Sequence, residues 1–231
     1  MFGHTLSERE RPALLAGASG LVGGYVLRRL LAHPSYARVH VLVRQELPLS
    51  HPKLVQHIVD FENLQADLAA GVQDVFCCLG TTIRQAGSQQ AFRHVDHDYP
   101  IALATLGKAA GAKQFLLVSA LGADAHSRIF YNRTKGETER DILDIGLSRV
   151  LYMRPSLLLG DRSRPRLGET VGAMVGGLIG PLFIGSMRKY RPIAADDVAA
   201  AMLYAATHDI GSGAIESNEI AQLAVRENTQ T

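Results

Sequence analysis

Short apolar runs alternate with longer amphipathic stretches along most of the chain. The apolar runs are rich in aliphatic and β-branched residues and predict strands at Ala13–Ala16, Val39–Val43, Val55–Val59, Asp74–Leu79, Phe115–Val118 and Arg149–Met153. The amphipathic stretches have apolar positions at helical spacing and predict helices at Leu21–Ala32, about Gln89–Ala110, Ile129–Ile145 and Asp196–Thr207. Strands that alternate with helices are typical of βαβ units, so we expect a doubly wound α/β fold with a parallel sheet.

The length and composition indicate one domain. The chain has 231 residues, of which 47% are hydrophobic, and can bury one large core. We expect a single domain over residues 1–231, in which residues 156–195 contribute a small C-terminal lobe on the substrate side. Ligands of a doubly wound sheet bind at the carboxyl ends of its strands. The loops expected to line that crevice follow Ala16, Val43, Leu79, Ser119 and Arg154.

The charge balance argues against a dedicated nucleic-acid-binding protein. Lys and Arg number 24 and Asp and Glu number 22, whereas phosphate backbones are bound by a concentrated basic face. The beginning of the sequence shows no apolar run typical of a secretory signal. Cys77 and Cys78 are adjacent, so on a strand their side chains would point to opposite faces and form no disulfide framework. These features favour a reducing, cytoplasmic location.

One uncharged segment, Val171–Ile184, stands out in the C-terminal part of the chain. It is shorter than the roughly 18–20 apolar residues that cross a bilayer and contains Pro181, so we expect no membrane span. It follows the last predicted crevice loop and is flanked by arginines. We therefore predict that Gly168–Tyr190 covers the substrate pocket or forms a homodimer contact, with simple packing as the alternative. A monomer or a homodimer is expected.

A glycine-rich sequence, GASGLVGG, follows the first predicted strand and opens the first predicted helix. One glycine permits a tight turn, a second lets the backbone approach a pyrophosphate, and a third lets the helix pack closely on the strand. Backbone N–H groups at the start of the helix then face the anion. The residues expected to contact a dinucleotide here are Gly17, Ser19, Gly20, Leu21, Val22 and Gly23. A glycine-rich turn without a ligand is the alternative.

The residues after the next three strands predict how the rest of a dinucleotide is held. Arg44 suits a 2′-phosphate, so NADP(H) is the expected cofactor, and the nearby Glu46 keeps NAD(H) possible. Asp60 and Phe61 follow the third strand, where an acid can accept from the adenine amino group. The residues expected to meet the phosphate or ribose after the fourth strand are Leu79, Gly80, Thr81 and Thr82. Exposed surface positions for the arginine and the acid are the alternatives.

A proton-transfer group is predicted after the fifth strand. Tyr131 and Lys135, in the sequence YNRTK, are four positions apart and lie on one face of a helix. The ammonium favours the phenolate, which makes Tyr131 a better acid or base, and Lys135 can also hold the nicotinamide ribose. Ser119 ends the fifth strand, where its hydroxyl would orient a substrate carbonyl or stabilise negative charge. A solvated helix face is the alternative.

Together, the motifs GASGLVGG, CLGTT, VSALGAD, YNRTK and MRPSLLLGDR resemble the short-chain dehydrogenase/reductase superfamily, and more narrowly its atypical branch around the Tat-interacting protein. The resemblance covers most of the chain and implies a Rossmann fold. It implies that the glycines hold the pyrophosphate and Arg44 the adenosine phosphate, and that the catalytic triad is Ser119, Tyr131 and Lys135. It also implies that the segment beginning at Arg154 and Pro155 contacts the nicotinamide through its backbone. The cofactor contacts expected there are Arg154, Pro155 and Leu157.

The sequence thus predicts an NADP-dependent oxidoreductase that transfers a hydride to or from a small, apolar carbonyl or alcohol compound. One alternative is an NADPH-binding regulator or redox sensor with little turnover. Another is a nucleotide-sugar epimerase or dehydratase, which the short stretch after Arg154 disfavours. Asp96 stands where many extended relatives have asparagine, which leaves the substrate class open. His94 and His97 are expected to be surface residues, because no third ligand is placed to complete a metal site.

Overall fold

The computed structural model describes residues 11–160 and 189–230. Its strands are β1 (Arg11–Ala16), β2 (Tyr36–Val43), β3 (Leu54–Ile58), β4 (Asp74–Cys77), β5 (Gln114–Val118), β6 (Arg149–Arg154), β7 (Leu158–Leu159), β8 (Ile193–Ala194) and β9 (Gly213–Glu216). Its helices are α1 (Leu21–Ala32), α2 (Ile83–Ala86), α3 (Gln89–Arg93), α4 (Tyr99–Ala109), α5 (Phe130–Asp144), α6 (Ala195–Thr207) and α7 (Ser217–Gln230). A 3₁₀ turn covers Ala66–Ala69, and a π-helical turn covers His94–Asp98.

Seven parallel strands form the main sheet in the order β3-β2-β1-β4-β5-β6-β9. The chain first winds outward from β1 through β2 to β3, and then crosses back to β4 and continues in the other direction. The switch point therefore lies between β1 and β4, and a crevice opens where their carboxyl ends diverge. This topology confirms the predicted doubly wound α/β, Rossmann-type fold.

Each face of the sheet carries its own hydrophobic core. Helices α1, α6 and α7 cover one face, where the alanine-rich α6 packs closely because its small side chains let it approach the neighbouring helices. Helices α4 and α5 cover the other face. Cys77 and Cys78 illustrate the alternation, because Cys77 belongs to the core under α4 and α5 and Cys78 packs against the opposite core. Both thiols are free, and burial raises the pKa of Cys77 to about 12.

A buried polar cluster ties together the amino ends of the strands. Asp74 begins β4 and accepts hydrogen bonds from the Tyr36 hydroxyl at 2.8 Å and the Gln114 amide at 2.7 Å. Arg11 lies 3.4 Å from the same carboxylate, and Arg149 donates to the Gln114 side-chain oxygen at 2.9 Å. These five residues are the first residues of β4, β2, β5, β1 and β6. Because Asp74 is only 1% exposed, these partners are needed to offset the loss of its hydration.

Several parts of the fold differ from the sequence prediction, including the short helix α2 and the strands β7 and β8, which were not predicted. The helix predicted over about Gln89–Ala110 has the expected extent, but its middle winds as a π-helical turn at His94–Asp98. Strand β9 and helix α7 were not predicted, because β9 has only four residues and no clear alternation. They extend the sheet beyond β6 and add a third helix to one face.

The expected C-terminal lobe falls largely outside the described residues. Its described flanks, β7 and β8, pair in parallel as a separate two-stranded sheet. All of the predicted covering segment Gly168–Tyr190 except Lys189 and Tyr190 lies outside the described part of the chain. Among the helices that the structure describes, none combines the length and apolar character needed to cross a bilayer.

Candidate active site

The glycine turn between β1 and α1 is built so that only glycine fits. Gly17 has φ +88°, and a Cβ there would lie 2.4 Å from the backbone oxygen of Cys78. A Cβ on Gly23 would lie 2.1 Å from the oxygen of Gly17. The backbone N–H of Gly20 donates to that same oxygen at 2.9 Å, which closes the turn. Helix α1 therefore begins directly after the turn, with Gly20 as its N-cap residue.

The start of α1 suits an anion. The N-terminal residue Gly20 offers no side chain to cap the helix, and no acidic residue lies in the first turn. The free N–H groups and the positive end of the helix dipole therefore face the crevice without competition. This geometry fits the pyrophosphate of a dinucleotide, with the glycine turn leaving the space that it would fill.

A crevice with a volume of about 530 Å³ opens at the switch point. The predicted site residues that line it are Ser19, Gly20, Leu21, Val22, Arg44, Leu79, Gly80, Thr81, Ser119, Tyr131 and Lys135. Arg44 follows β2 on one side of the switch point, and Tyr131 and Lys135 follow β5 on the other. The structure therefore joins the predicted phosphate turn and the predicted proton-transfer group in one cavity. Tyr25 and Arg28 of α1, which were not predicted, also line it.

Other predicted contacts lie outside the described lining of the crevice. They are Gly17 and Gly23, whose backbones form and pack against the turn, and Asp60, Phe61, Thr82, Arg154, Pro155 and Leu157. Asp60 accepts from the backbone of Glu62 at 3.0 Å in a local turn, and Phe61 packs against Tyr99. The Thr82 hydroxyl caps α2 by accepting from the N–H of Gln85. Cofactor contacts by these residues remain predictions.

Asp96 is the partner of the predicted catalytic lysine. Its carboxylate lies 2.8 Å from Lys135 Nζ and accepts from the backbone N–H of Thr81 at 2.8 Å. Both side chains are buried, at 1% and 4% exposure. Burial disfavours the ammonium, but the charge and hydrogen bond of Asp96, together with the charge of Tyr131, outweigh it, so the pKa of Lys135 is raised above its ordinary value. Lys135 is therefore held as a cation in the crevice.

The position of Asp96 depends on the π-helical turn. A π turn inserts an extra residue relative to regular helix and is often found at functional sites. The backbone oxygen of Asp96 accepts a hydrogen bond from the Thr138 hydroxyl of α5 at 3.0 Å. A Cβ on Gly80 would lie 3.3 Å from the Asp96 carboxylate, so glycine at that position leaves the ion pair its space.

Ser119 is engaged by a residue that the sequence did not indicate as functional. Its hydroxyl lies 2.5 Å from Glu139 Oε1. Glu139 also receives two hydrogen bonds from Arg154, at 3.1 and 2.6 Å, and Arg154 reaches Glu216 at 3.2 Å. Glu139 is only 5% exposed. The guanidinium of Arg154 is thus ion-paired with the buried carboxylate of Glu139.

Glu139 could have been found from its spacing along α5. It is four positions after Lys135 and eight after Tyr131, so all three lie along one face of the helix. Only the structure, however, shows that this face also meets the end of β5, where Ser119 stands. Asp96 gave a signal as well, since it replaces the asparagine of many extended relatives.

The loop between Ser119 and Tyr131 is held tightly against α5. A Cβ on Gly136 would lie 2.1 Å from the backbone nitrogen of Ala125, so backbone packs directly on backbone there. The ring of Tyr131 packs on Phe92, with 5.5 Å between ring centres. These contacts fix the approach of Tyr131 to the crevice.

The histidines of the π turn make contacts away from the crevice, and the expected surface position is wrong for His97, which is buried. His94 contacts Glu62 at 2.5 Å and Asp98 at 3.0 Å, and His97 contacts Asp98 and Asp141. Hydrogen bonding to Asp98 and Glu62 raises the pKa of His94. In the described parts of the chain, no group of three or more acidic, histidine or cysteine side chains is arranged to hold a metal ion.

Comparison with known proteins identifies the family. A family model described as NAD(P)H-binding matches residues 17–146, more than half of the chain. The chain belongs to this family. This NAD(P)H-binding protein is 36% identical to Protein FMP52, mitochondrial, of Eremothecium gossypii, over 94% of its own length and 99% of the relative's. It is 37% identical to Protein HTATIP2 of Rattus norvegicus, over 70% of its own length and 68% of the relative's. The predicted resemblance to the atypical reductase branch is confirmed.

Solved structures agree on the fold. MoeE5 in complex with UDP-glucuronic acid and NAD has a TM-score of 0.67 and 19% identity to the NAD(P)H-binding protein. The alignment covers 93% of this chain and 81% of MoeE5. At that level of identity the likeness shows a shared Rossmann-type architecture and no more.

The expected cytoplasmic location is wrong. Relatives from Eremothecium gossypii, Saccharomyces cerevisiae and Emericella nidulans are all named mitochondrial proteins. Unpaired cysteines indicate only that a protein has no disulfide framework. Because more than one compartment is reducing, that observation does not identify the cytoplasm.

Proposed function

We propose that this protein is an NADP(H)-dependent oxidoreductase acting on a small carbonyl or alcohol compound with an apolar skeleton. The observation that carries the proposal is the shared crevice, in which the glycine turn and the Tyr131–Lys135 pair face the same cavity. Membership of the NAD(P)H-binding family supports the cofactor class. The bound nicotinamide would supply or accept the hydride.

Arg44 and Arg28 support a preference for NADP(H). Both line the crevice, and Arg28 also lies over the ring of Tyr25, 4.4 Å from its centre. Two guanidinium groups favour a phosphate over a bare ribose hydroxyl, because they form charge-assisted hydrogen bonds with it.

Tyr131 is the proposed proton donor and Lys135 its support. In the direction of reduction, the substrate carbonyl oxygen would take the Tyr131 proton as the carbonyl π pair moves to it, the hydride for the carbonyl carbon being supplied by the cofactor when bound. Lys135, kept cationic by Asp96, stabilises the phenolate that remains until solvent returns the proton. Oxidation of the alcohol is the same sequence in reverse.

The test is turnover on a panel of aldehydes, ketones and alcohols, followed by the absorbance of the reduced cofactor. We expect NADPH-dependent reduction, with Tyr131→Phe lowering kcat at least about a hundredfold because the proton donor is lost. Arg133→Gln on the same helix is the matched control and should retain activity. NADPH binding without turnover on the whole panel would instead favour the regulator.

A further inference from the structure

The direction of the hydrogen bond between Ser119 and Glu139 is fixed by Arg154. Both oxygens of Glu139 accept from Arg154, and an ionised carboxylate has no proton to donate. At the 2.5 Å contact between the two side chains, the Ser119 hydroxyl must therefore be the donor. A serine has one hydroxyl hydrogen and two lone pairs. With its hydrogen given to Glu139, Ser119 presents lone pairs to the crevice.

An acceptor at this position suits a different substrate group from a bare carbonyl. A carbonyl oxygen is itself only an acceptor, so it gains nothing from the lone pairs of Ser119. A hydroxyl hydrogen on the substrate would instead be accepted. Turning the Ser119 hydrogen towards a carbonyl would first break its bond to a charged partner, which is stronger than a neutral hydrogen bond.

We propose that the substrate carries a hydroxyl group on the carbon next to the reacting carbonyl, and that Ser119 accepts the hydrogen of that hydroxyl. This inference rests on the proposed function and names its substrate class. The carbonyl oxygen meets the Tyr131 hydroxyl, and the adjacent hydroxyl meets Ser119 in the same crevice. With NADPH bound to supply the hydride to the carbonyl carbon and Tyr131 the proton to its oxygen, an α-hydroxyketone would become a vicinal diol, leaving NADP⁺.

Glu139 is then a positioning residue that acts through Ser119. Its glutamine variant offers a discriminating change. The amide oxygen would keep the shorter Arg154 bond of 2.6 Å, and the amide nitrogen would replace the oxygen next to Ser119, at the cost of the 3.1 Å bond from Arg154 Nε. The serine would then accept from Gln at position 139 and free its own hydrogen for the crevice. Ser119 is thus expected to change from a hydrogen-bond acceptor to a donor towards the crevice, while the side chain at position 139 keeps nearly the same volume.

The experiment compares three compounds of one skeleton: α-hydroxyacetophenone, α-methoxyacetophenone and acetophenone. The methoxy compound keeps the oxygen but has no hydrogen to donate. With NADPH-loaded wild-type protein we expect kcat/KM for the hydroxy compound to exceed that for the other two about tenfold or more, the effect of one hydrogen bond. Glu139→Gln should lower this preference about tenfold.

Two further variants separate specificity from structure. Glu216→Gln removes the other acidic partner of Arg154 but does not touch Ser119, and its substrate preference should match the wild type. Ser119→Ala leaves the Glu139–Arg154 pair intact and should abolish the preference. In the Ser119→Ala background, Glu139→Gln should change the preference no further. This second route keeps the test decisive if Glu139→Gln fails to fold.

Binding to NADPH-loaded Tyr131→Phe protein, measured by calorimetry, gives the same comparison without turnover. Selective binding of the hydroxy compound by a protein that reduces none of the three would support the inference and contradict the proposed reduction of these ketones. Equal kcat/KM values and equal affinities for all three compounds would overturn the inference and leave the proposed function standing. Absence of both binding and turnover would overturn both.

Discussion

The Asp96 carboxylate meets the Lys135 ammonium at 2.8 Å in the interior of the crevice wall. The same carboxylate holds the backbone N–H of Thr81, which lies in the loop after β4. A single side chain from the π turn therefore joins helix α5 to the loop beside the glycine turn. The two halves of the crevice are coupled through this buried contact.

The first prediction concerns this pair. Asp96→Asn should lower the free energy of unfolding by on the order of 3 kcal/mol, because a buried ammonium loses its counter-charge. Because the folded pKa of Lys135 is raised, the pair stabilises the fold below the ordinary lysine pKa and this contribution is lost as the pH rises through the folded pKa. Urea unfolding at pH 7 and at pH 10–11 measures both effects.

Asp98→Asn is the matched control for Asp96→Asn. Its side chain is 49% exposed and pairs with histidines, so the expected change in unfolding free energy is below about 1 kcal/mol. Equal destabilisation by the two substitutions would contradict the importance assigned to the Lys135 pair.

The second prediction concerns cofactor choice. Arg44→Ala should weaken NADPH binding by about 1–3 kcal/mol, the range for a lost charge-assisted contact, and leave NADH binding nearly unchanged. Arg28→Ala should weaken NADPH binding in the same direction but less, because it also packs on Tyr25. Calorimetric titration with NADPH and with NADH measures the ratio of the two dissociation constants for each protein. If wild-type protein binds NADPH and NADH equally, the preference assigned to Arg44 is wrong.

The third prediction concerns the glycine turn. Gly23→Ala should weaken the binding of both NADPH and NADH by about a hundredfold or more, because its Cβ would lie 2.1 Å from the Gly17 oxygen and displace the turn. Gly211→Ala, where a Cβ meets no atom within 4 Å, should bind both cofactors like the wild type. A Gly23→Ala protein that is folded by circular dichroism and retains full affinity would contradict the pyrophosphate assignment.

The fourth prediction concerns acid stability. His40 Nδ1 lies 2.9 Å from His57 Nε2, and their rings stack with centres 5.2 Å apart. Burial, together with the neighbouring His57 and Arg38, lowers the pKa of His40. A neutral His40 is thus favoured by folding, and its stabilising effect is complete above the ordinary histidine pKa and lost as the pH falls below it.

The midpoint of urea unfolding between pH 8 and pH 5.5 measures this loss. His40→Gln should reduce the fall of the urea midpoint towards pH 5.5, because the imidazole whose protonation is disfavoured in the folded state is gone. His126→Gln, at an exposed position, should keep the wild-type slope. A His40→Gln profile that is parallel to the wild type across this range would show that the pair does not titrate with folding.

The framework of the fold was predictable because its signals are local. The buried runs that became β1, β2 and β5 have no competing pattern, and the glycines at 17, 20 and 23 mark the turn by spacing alone. Strand β9 was missed because four residues at the end of the sheet carry too little periodicity. Its pairing with β6 is decided by tertiary contacts.

The candidate site was only half predictable for a related reason. Tyr131 and Lys135 lie on one helix, so their proximity follows from helical geometry. The contacts of Ser119 with Glu139 and of Lys135 with Asp96 join residues from different elements, and a single sequence does not specify such distances. The π turn that orients Asp96 also has no distinctive composition.

The Asp74 cluster has a consequence for how such a chain can diverge. It cross-links the first residues of five strands at the rim opposite the crevice, and it shares no residue with the cavity lining. Substitutions at the crevice rim therefore leave this anchorage untouched. A descendant protein could therefore exchange residues of the crevice and still fold. The fold can then be conserved among relatives whose chemistry differs.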